Sequence, residues 1–113
     1  MHEMSIAQSI LEIVDSESRK AGVERVEELE LEIGKLAGIE YETLEFSLKV
    51  LAPGTAIEGS RMVIDKPEGK AECQDCGHGF VTDSPVTICP ECRSFSCNIV
   101  SGKQLRVKSI LIE

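Results

Sequence analysis

The 113-residue chain carries 20 acidic and 12 basic residues, which gives a formal net charge of −8. So acidic a chain repels phosphate backbones, which excludes nucleic acid as an expected partner. No apolar run approaches the length of a membrane span, and the N-terminus lacks the basic head and apolar stretch of a signal peptide. We therefore expect no membrane partner and a cytoplasmic location.

The first predicted element is a helix. Ser5 followed by Gln8 is a capping-box pattern, which predicts that the helix begins at about Ile6 and that residues 1–4 lie outside it. Gly22 is well placed to end the helix. Apolar residues recur at helical spacing in between, at Ile6, Ile10, Ile13, Val14 and Ala21.

A strand follows, because from Val26 the apolar residues alternate with glutamates. The glutamate row indicates either a cation site or, as we prefer, the solvated face of a sheet. A second helix is predicted from Tyr41, ending near Pro53-Gly54, and Met62-Val-Ile64 predicts a second strand. The apolar positions of that second helix are Tyr41, Leu44, Phe46, Leu48, Val50 and Leu51.

Turn residues cluster at Lys66-Pro-Glu-Gly69, which predicts a domain boundary. A final strand begins near Leu105. Because residues 110–112 are apolar on both faces, we expect this strand to be well covered and to return to the first sheet. The pattern predicts an α+β fold, with two helices packed on a small three-stranded sheet and an inserted zinc-ribbon-like domain. The predicted limits are 1–68 and 103–113 for the α+β domain and 69–102 for the insertion.

Four of the five cysteines form two Cys-x-x-Cys knuckles, separated by about a dozen residues: Cys73, Cys76, Cys89 and Cys92. Four thiolates suit Zn²⁺ in a closed structural site. Iron in a rubredoxin-like site has the same sequence pattern, and a disulfide pair is a weaker alternative. The odd cysteine count and the metal spacing favour a reducing compartment. His78 is by default a turn residue, and its alternatives are to replace a cysteine ligand or to tune the site through a hydrogen bond. Cys97 is by default a buried or idle thiol, with a spare-ligand or redox role as the weaker alternatives.

The N-terminus is a second candidate metal site. Met1 offers an α-amine, and His2 offers an imidazole and an amide nitrogen. Glu3 adds a further amide nitrogen or a carboxylate. Such nitrogens in one plane suit Ni(II) or Cu(II), although a histidine at position 2 is often incidental. No constellation typical of catalysis is present, so we do not expect an enzyme.

Taken together, the start Met1-His2-Glu3-Met4-Ser5, a Gly-rich turn after an amphipathic strand and the two knuckles resemble the HypA (HypA/HybF) family of hydrogenase maturation nickel chaperones. The resemblance covers nearly the whole chain. It implies transported Ni(II) bound by Met1, His2 and Glu3, and structural zinc bound by the four knuckle cysteines. A departure is Arg93, which follows the second knuckle where some relatives have histidine.

The resemblance also implies partners. These are the GTPase HypB and the large subunit of [NiFe]-hydrogenase, with urease maturation factors in some members, and a monomer or weak homodimer is expected. Two other classes of protein stay open from the residues alone. One is a zinc-ribbon adaptor without nickel transport, and the other is a rubredoxin-like electron carrier.

Overall fold

A computed structural model describes residues 3–112 of the chain. The elements, in chain order, are α1 (Glu3–Ala21), β1 (Glu28–Ile33), α2 (Tyr41–Leu51), β2 (Arg61–Asp65), β3 (Lys70–Cys73), β4 (Gly79–Val81), β5 (Cys97–Ser101) and β6 (Leu105–Leu111). They form two units, the first from residues 3–32, 39–65 and 106–112 and the second from residues 33–38 and 66–105. Neither helix in the described part is long and apolar enough to cross a membrane.

The first unit holds both helices and a three-stranded sheet in the order β2-β1-β6. Strands β1 and β2 are parallel, with Leu31 opposite Ile64, and α2 supplies the crossover that a parallel pair requires. Strand β6 runs antiparallel to β1, because the Glu27 N–H donates to Leu111 O at one end while Arg106 bonds Glu32 at the other. The predicted α+β class and the return of the last strand to the first sheet are confirmed.

The core of this unit lies between the sheet and the two helices. The inward side chains of β1 are fully buried, as the alternating pattern predicts. Four residues of the predicted apolar faces instead point to solvent: Ala21 is exposed, as are Ile13 (48%), Phe46 (66%) and Val50 (51%). The helix and strand side chains that fill the core are Ala7, Ile10, Leu11, Val14, Leu44, Leu48, Leu29, Leu31 and Ile33.

The outer face of the sheet carries ion pairs between neighbouring strands. Glu28 bonds Arg61 on β2 at 3.0 Å, and Glu32 bonds Arg106 on β6 at 2.7 Å. Lys108 lies 2.6 Å from Asp65 and 3.8 Å from Glu30. The glutamate row is therefore the solvated face of a sheet, balanced by cations of its own fold.

Helix α1 begins earlier than its sequence pattern predicts. Glu3 and Met4 are helical, so the expected cap at Ser5 and a start at Ile6 are wrong. Ser5 lies inside the first turns, where its carbonyl accepts a bond from the Ser9 hydroxyl. A carboxylate in the first turn suits the positive end of the helix dipole, and Glu3 supplies that signal. Gly22 ends the helix with φ 72°, as predicted.

Strand β6 is less covered than its apolar run predicts. Leu105 is 43% exposed and Leu111 48%, so the expectation of a strand shielded on both faces is wrong. The reason is its place at the edge of the sheet, where a strand has a single hydrogen-bonded neighbour. The central strand β1 takes the buried position instead.

The second unit contains a sheet in the order β4-β3-β5, with both pairs antiparallel. Residues 33–38 belong to this unit, although the predicted limits place them with the α+β part. Backbone bonds hold the segment there, since the Leu36 N–H donates to Gly102 O at 2.7 Å and the Lys35 N–H to Pro67 O at 2.9 Å. Gly34 permits this close approach, because a Cβ at that position would lie 2.0 Å from Gly102 O.

Candidate metal centre

The first knuckle is the tight turn between β3 and β4. The Cys73 N–H donates to His78 O at 2.9 Å, and the Gly77 N–H donates to Cys73 O at 3.0 Å. Gly77 has φ 77°, a conformation that glycine adopts without steric cost. The turn brings the side chain of Cys76 back towards that of Cys73.

The second knuckle repeats the same backbone bonds. The Cys89 N–H donates to Ser94 O at 2.9 Å, and the Arg93 N–H donates to Cys89 O at 2.8 Å. Arg93 holds the place of Gly77 and has φ 61°, the one positive φ of a non-glycine residue among those described. The Ser94 hydroxyl also donates to the Asp75 carboxylate, which ties the second knuckle to the first.

The two turns bring four sulfur atoms together. All lie within 4.8 Å of one another, with Sγ–Sγ distances of 3.5 Å for Cys73–Cys92 and 3.6 Å for Cys76–Cys89. A zinc tetrahedron with bonds of about 2.3 Å needs sulfur separations of about 3.8 Å. The cluster therefore fits such an ion with little movement. Its cysteines are free thiols and not disulfides.

The first cysteine of each knuckle is buried and the second is exposed. Cys73 and Cys89 are 1% and 0% exposed, whereas Cys76 and Cys92 face solvent. The cluster is thus anchored in the unit by one pair of thiols and open to solvent at the other.

The electrostatics of the cluster favour a cation. Backbone N–H groups of Cys76 and Asp75 donate to the Cys73 sulfur and lower its pKa to about 6. At Cys92 the Ser94 backbone acts in the same direction, but the neighbouring Cys73 thiol and burial outweigh it and raise the pKa to about 12. Cys73 therefore ionises easily, whereas Cys92 resists ionisation beside it. A bound cation would stabilise all four cysteines as thiolates.

Two nearby residues lie outside the cluster. The His78 ring stacks on Phe80, with ring centroids 5.9 Å apart, and is not among the four grouped ligands. Cys97 is half-buried and its thiol donates to Ser94 O at 3.6 Å. Burial, together with the charges of Cys73 and Cys89, raises the pKa of Cys97.

At the other candidate site, Met1 and His2 lie outside the described residues, so the predicted nickel ligand set stays a prediction. Glu3 is the first described residue of α1. Its carboxylate accepts a bond from the Glu40 N–H at 3.4 Å, and Glu40 is the residue that caps α2 without a side-chain bond of its own. Sequence patterns give no sign of this contact, because 37 residues separate its partners.

Comparison with known proteins agrees with this arrangement. A family model described as hydrogenase/urease nickel incorporation, metallochaperone, hypA matches residues 1–112. The chain is 46% identical over 113 residues to the hydrogenase maturation factor HypA of Chlorobium luteolum, covering 100% of this chain and 97% of the relative. It is 45% identical over 113 residues to the factor of the same name from Parabacteroides distasonis, covering 100% and 98%.

The fold has a solved counterpart. The solution structure of the Ni metallochaperone HypA from Helicobacter pylori superposes with a TM-score of 0.70 at 20% identity, over 99% of this chain and 97% of that one. At this identity the likeness concerns the fold. The family model and the two relatives establish the family, whose members are maturation factors and not enzymes. The chain therefore belongs to the HypA family of hydrogenase/urease nickel-incorporation metallochaperones.

Proposed function

We propose that this chain binds Ni(II) at its N-terminus and delivers it to the large subunit of [NiFe]-hydrogenase, while its four-cysteine cluster holds structural zinc. One observation carries the nickel part: Glu3, the first described residue, lies in the first turn of α1. The first N–H groups of a helix have no intrahelical acceptor. The Glu3 amide is therefore available to a metal bound by the two residues before it.

The nickel ligands follow from this placement. The Met1 amine, the His2 imidazole, and the His2 and Glu3 amide nitrogens close successive chelate rings in one plane, which suits Ni(II). We assign to Glu3 its amide nitrogen as ligand and not its carboxylate, because the carboxylate already accepts the bond from Glu40. Glu3 then has two roles, one at the metal and one at α2.

The zinc ligands in this proposal are Cys73, Cys76, Cys89 and Cys92. The sulfur separations support a site closed by four cysteine ligands, which is typical of structural zinc. Among the described residues, no further histidine, cysteine or carboxylate belongs to the group. A bound zinc ion supplies folding free energy to a unit of small strands, on the order of 10–16 kcal/mol in comparable modules. Cys97 lies outside the ligand set.

The proposed partners are those implied by the family: the GTPase HypB, the large subunit of [NiFe]-hydrogenase and urease maturation factors. The relatives bear the name hydrogenase maturation factor, and the family description includes urease, which supports both destinations. We propose that transfer takes place in the cytoplasm, where the thiols of the cluster stay reduced.

The test is a titration of the untagged, zinc-loaded chain with Ni(II), in which calorimetry measures the heat of binding. We expect one specific Ni(II) per chain. Extending the chain by Gly-Ser before Met1 should abolish this binding, since the extension removes the free amine and leaves every side chain intact. His2→Gln should do the same, while zinc content stays unchanged in both. Unchanged nickel affinity in the extended chain would mean that nickel binds elsewhere.

A further inference from the structure

The fifth cysteine lies directly across the sheet from a cluster cysteine. In the antiparallel β3–β5 pair, Cys97 is the register partner of Cys73. The neighbouring position shows the bonding of the ladder, since the Gln74 N–H donates to Ser96 O at 2.7 Å. Because hydrogen-bonded and non-hydrogen-bonded pairs alternate along an antiparallel ladder, Cys73 and Cys97 form a non-hydrogen-bonded pair.

The backbone bonds of both cysteines agree with this assignment. The Cys73 N–H donates to His78 O and the Cys73 carbonyl accepts from Gly77, so both groups point away from β5. The Cys97 N–H donates locally to Phe95 O at 2.9 Å. Non-hydrogen-bonded pairs have Cα atoms about 4.5 Å apart, within the range of about 4.4–6.8 Å that a disulfide spans.

Opposite residues of a ladder also share a face of the sheet, so the two thiols lie on the same side. Cys73 is 1% exposed and Cys97 is half-buried, so of these two thiols Cys97 is the more accessible to a small reagent. Within the cluster, the Cys73 sulfur lies 3.5 Å from that of Cys92, and the Cys76 sulfur lies 3.6 Å from that of Cys89. The five thiols are thus a four-cysteine cluster and one additional thiol, which lies beside one of the two buried members of the cluster.

We infer that Cys97 is a redox partner of Cys73, and that exchange with a low-molecular-weight disulfide joins the two and removes one thiolate from the metal site. The Cys97 thiolate attacks one sulfur of the reagent, which breaks the reagent S–S bond and releases the first small thiolate. The Cys73 thiolate then attacks the Cys97 sulfur, and the second small thiolate leaves. Two electrons pass from the two cysteines to the reagent, and the Cys97 proton ends on a released thiol.

This pairing differs from a disulfide within the cluster. Joining Cys73 to Cys92, or Cys76 to Cys89, takes two ligands from the metal at once. Joining Cys73 to Cys97 takes one and leaves three thiolates in place. The Cys73–Cys97 disulfide would therefore weaken binding of the metal in a first step, which reduction of the disulfide reverses. The inference rests on the proposed zinc ligands only where it predicts release of the metal. The Cys73–Cys97 disulfide is detected by mass spectrometry, whichever metal the cluster holds.

The experiment uses the full, zinc-loaded chain with glutathione disulfide under anaerobic conditions. Free thiols are alkylated at successive times, and the disulfides are mapped by proteolysis and mass spectrometry. We expect the Cys73–Cys97 linkage to appear first, together with faster transfer of zinc to a chromogenic chelator, and dithiothreitol to reverse both. Early linkage between two of the four cluster cysteines, with Cys97 still free, would overturn the inference.

Two variants supply matched controls. Cys97→Ser keeps all four cluster thiols, and we expect zinc release by the oxidant to slow by roughly tenfold. Combining Cys97→Ser with Asn98→Cys keeps five thiols but moves the additional one to the opposite face, beside Glu72. This double variant should behave like Cys97→Ser. Zinc release at the wild-type rate in both would contradict the role of Cys97. The mapping on the wild-type chain decides the matter even if a variant folds poorly.

Discussion

The backbone N–H of Glu40 donates a hydrogen bond to the Glu3 carboxylate at 3.4 Å, so a side chain from the first turn of α1 serves the start of α2. Glu40 makes no side-chain cap of its own, and an anion at a helix N-terminus is stabilising. A residue of the proposed nickel site is therefore also part of the packing between the two helices.

Substituting Glu3 separates these two roles. Glu3→Ala should lower the free energy of unfolding by about 0.5–1 kcal/mol, because α2 loses the carboxylate at its N-terminus. Glu3→Gln should recover part of the loss, since its amide oxygen also accepts a hydrogen bond. Thermal unfolding measures both, with Glu12→Ala on the exposed side of α1 as control.

Nickel binding by the same variants tests the ligand assignment. If the amide nitrogen of Glu3 is the ligand, Glu3→Ala and Glu3→Gln should still bind one Ni(II) by titration. Loss of nickel in both, with unfolding little changed, would identify the carboxylate as a ligand.

Zinc removal should act on one unit. Both helices belong to the first unit, and the cysteine cluster belongs to the second. Cys76→Ala or a strong chelator should therefore unfold residues 66–105 and spare most of the circular dichroism at 222 nm. Hydrogen exchange should show protection retained in α1 and lost in β3. Loss of the whole helical signal would show that the units unfold together.

Exchanging glycine for another residue, or the reverse, should affect stability differently in the two knuckles. Gly77 has φ 77° and Arg93 has φ 61° at equivalent positions, and an L-residue in this region costs roughly 1–2 kcal/mol. Gly77→Ala should destabilise the zinc-loaded chain by about that amount, although its Cβ would meet no atom within 4 Å. Arg93→Gly should be neutral or slightly stabilising, since it removes strain but adds chain entropy of about 0.5–1 kcal/mol. Denaturant unfolding compares the pair, and equal losses in both would contradict the argument.

The sequence predicts those parts of this molecule that depend on local patterns. Alternation of Leu29 and Leu31 with glutamates predicts β1, and the knuckle spacing predicts which sulfurs meet. Helix α1 shows the limit of such patterns, because two start signals compete within three residues and the carboxylate of Glu3 prevails over the Ser5 box.

Other features depend on pairings between distant residues. Cys97 faces Cys73 only through the register of β5 on β3, and Glu3 meets Glu40 only when the helices pack. The exposure of Leu105 follows from the edge position of β6, which an apolar run does not reveal. The positive φ of Arg93, by contrast, could have been predicted from the sequence. Gly77 holds the equivalent place in the first knuckle, so comparison of the two knuckles indicates the same backbone conformation at Arg93.

The ion pair between Lys108 and Asp65 predicts a pH dependence of stability. The hydrogen bond from Lys108 lowers the pKa of Asp65, and the same bond raises the pKa of Lys108. The Asp65 contribution is therefore present above the unfolded pKa of about 3.9 and lost as pH falls through the folded value. The Lys108 contribution is present below about 10.4 and lost as pH rises through its folded pKa.

The variant Lys108→Met should thus be less stable than the wild type near neutral pH, with a difference that shrinks below about pH 4. The effect should be small and weakened by salt, since both side chains are exposed. Thermal unfolding across pH measures it. The control is Lys103→Met, because Lys103 forms no salt bridge with any described residue. The stability difference between this variant and the wild type should not shrink at low pH.

Nickel should leave the chain as pH falls, before zinc does. Binding at the N-terminus needs an unprotonated amine and imidazole, whose ordinary pKa values are about 7.7–8.0 and 6.5, and it displaces amide protons as well. Protons therefore compete with Ni(II), and its affinity should decline steadily from about pH 8 to pH 6. Four thiolates enclose the proposed zinc ion, so zinc content should stay constant over the same range. Equilibrium dialysis with metal analysis follows both ions in one sample. Nickel affinity that does not change between these pH values would place the nickel ligands away from the amine and His2.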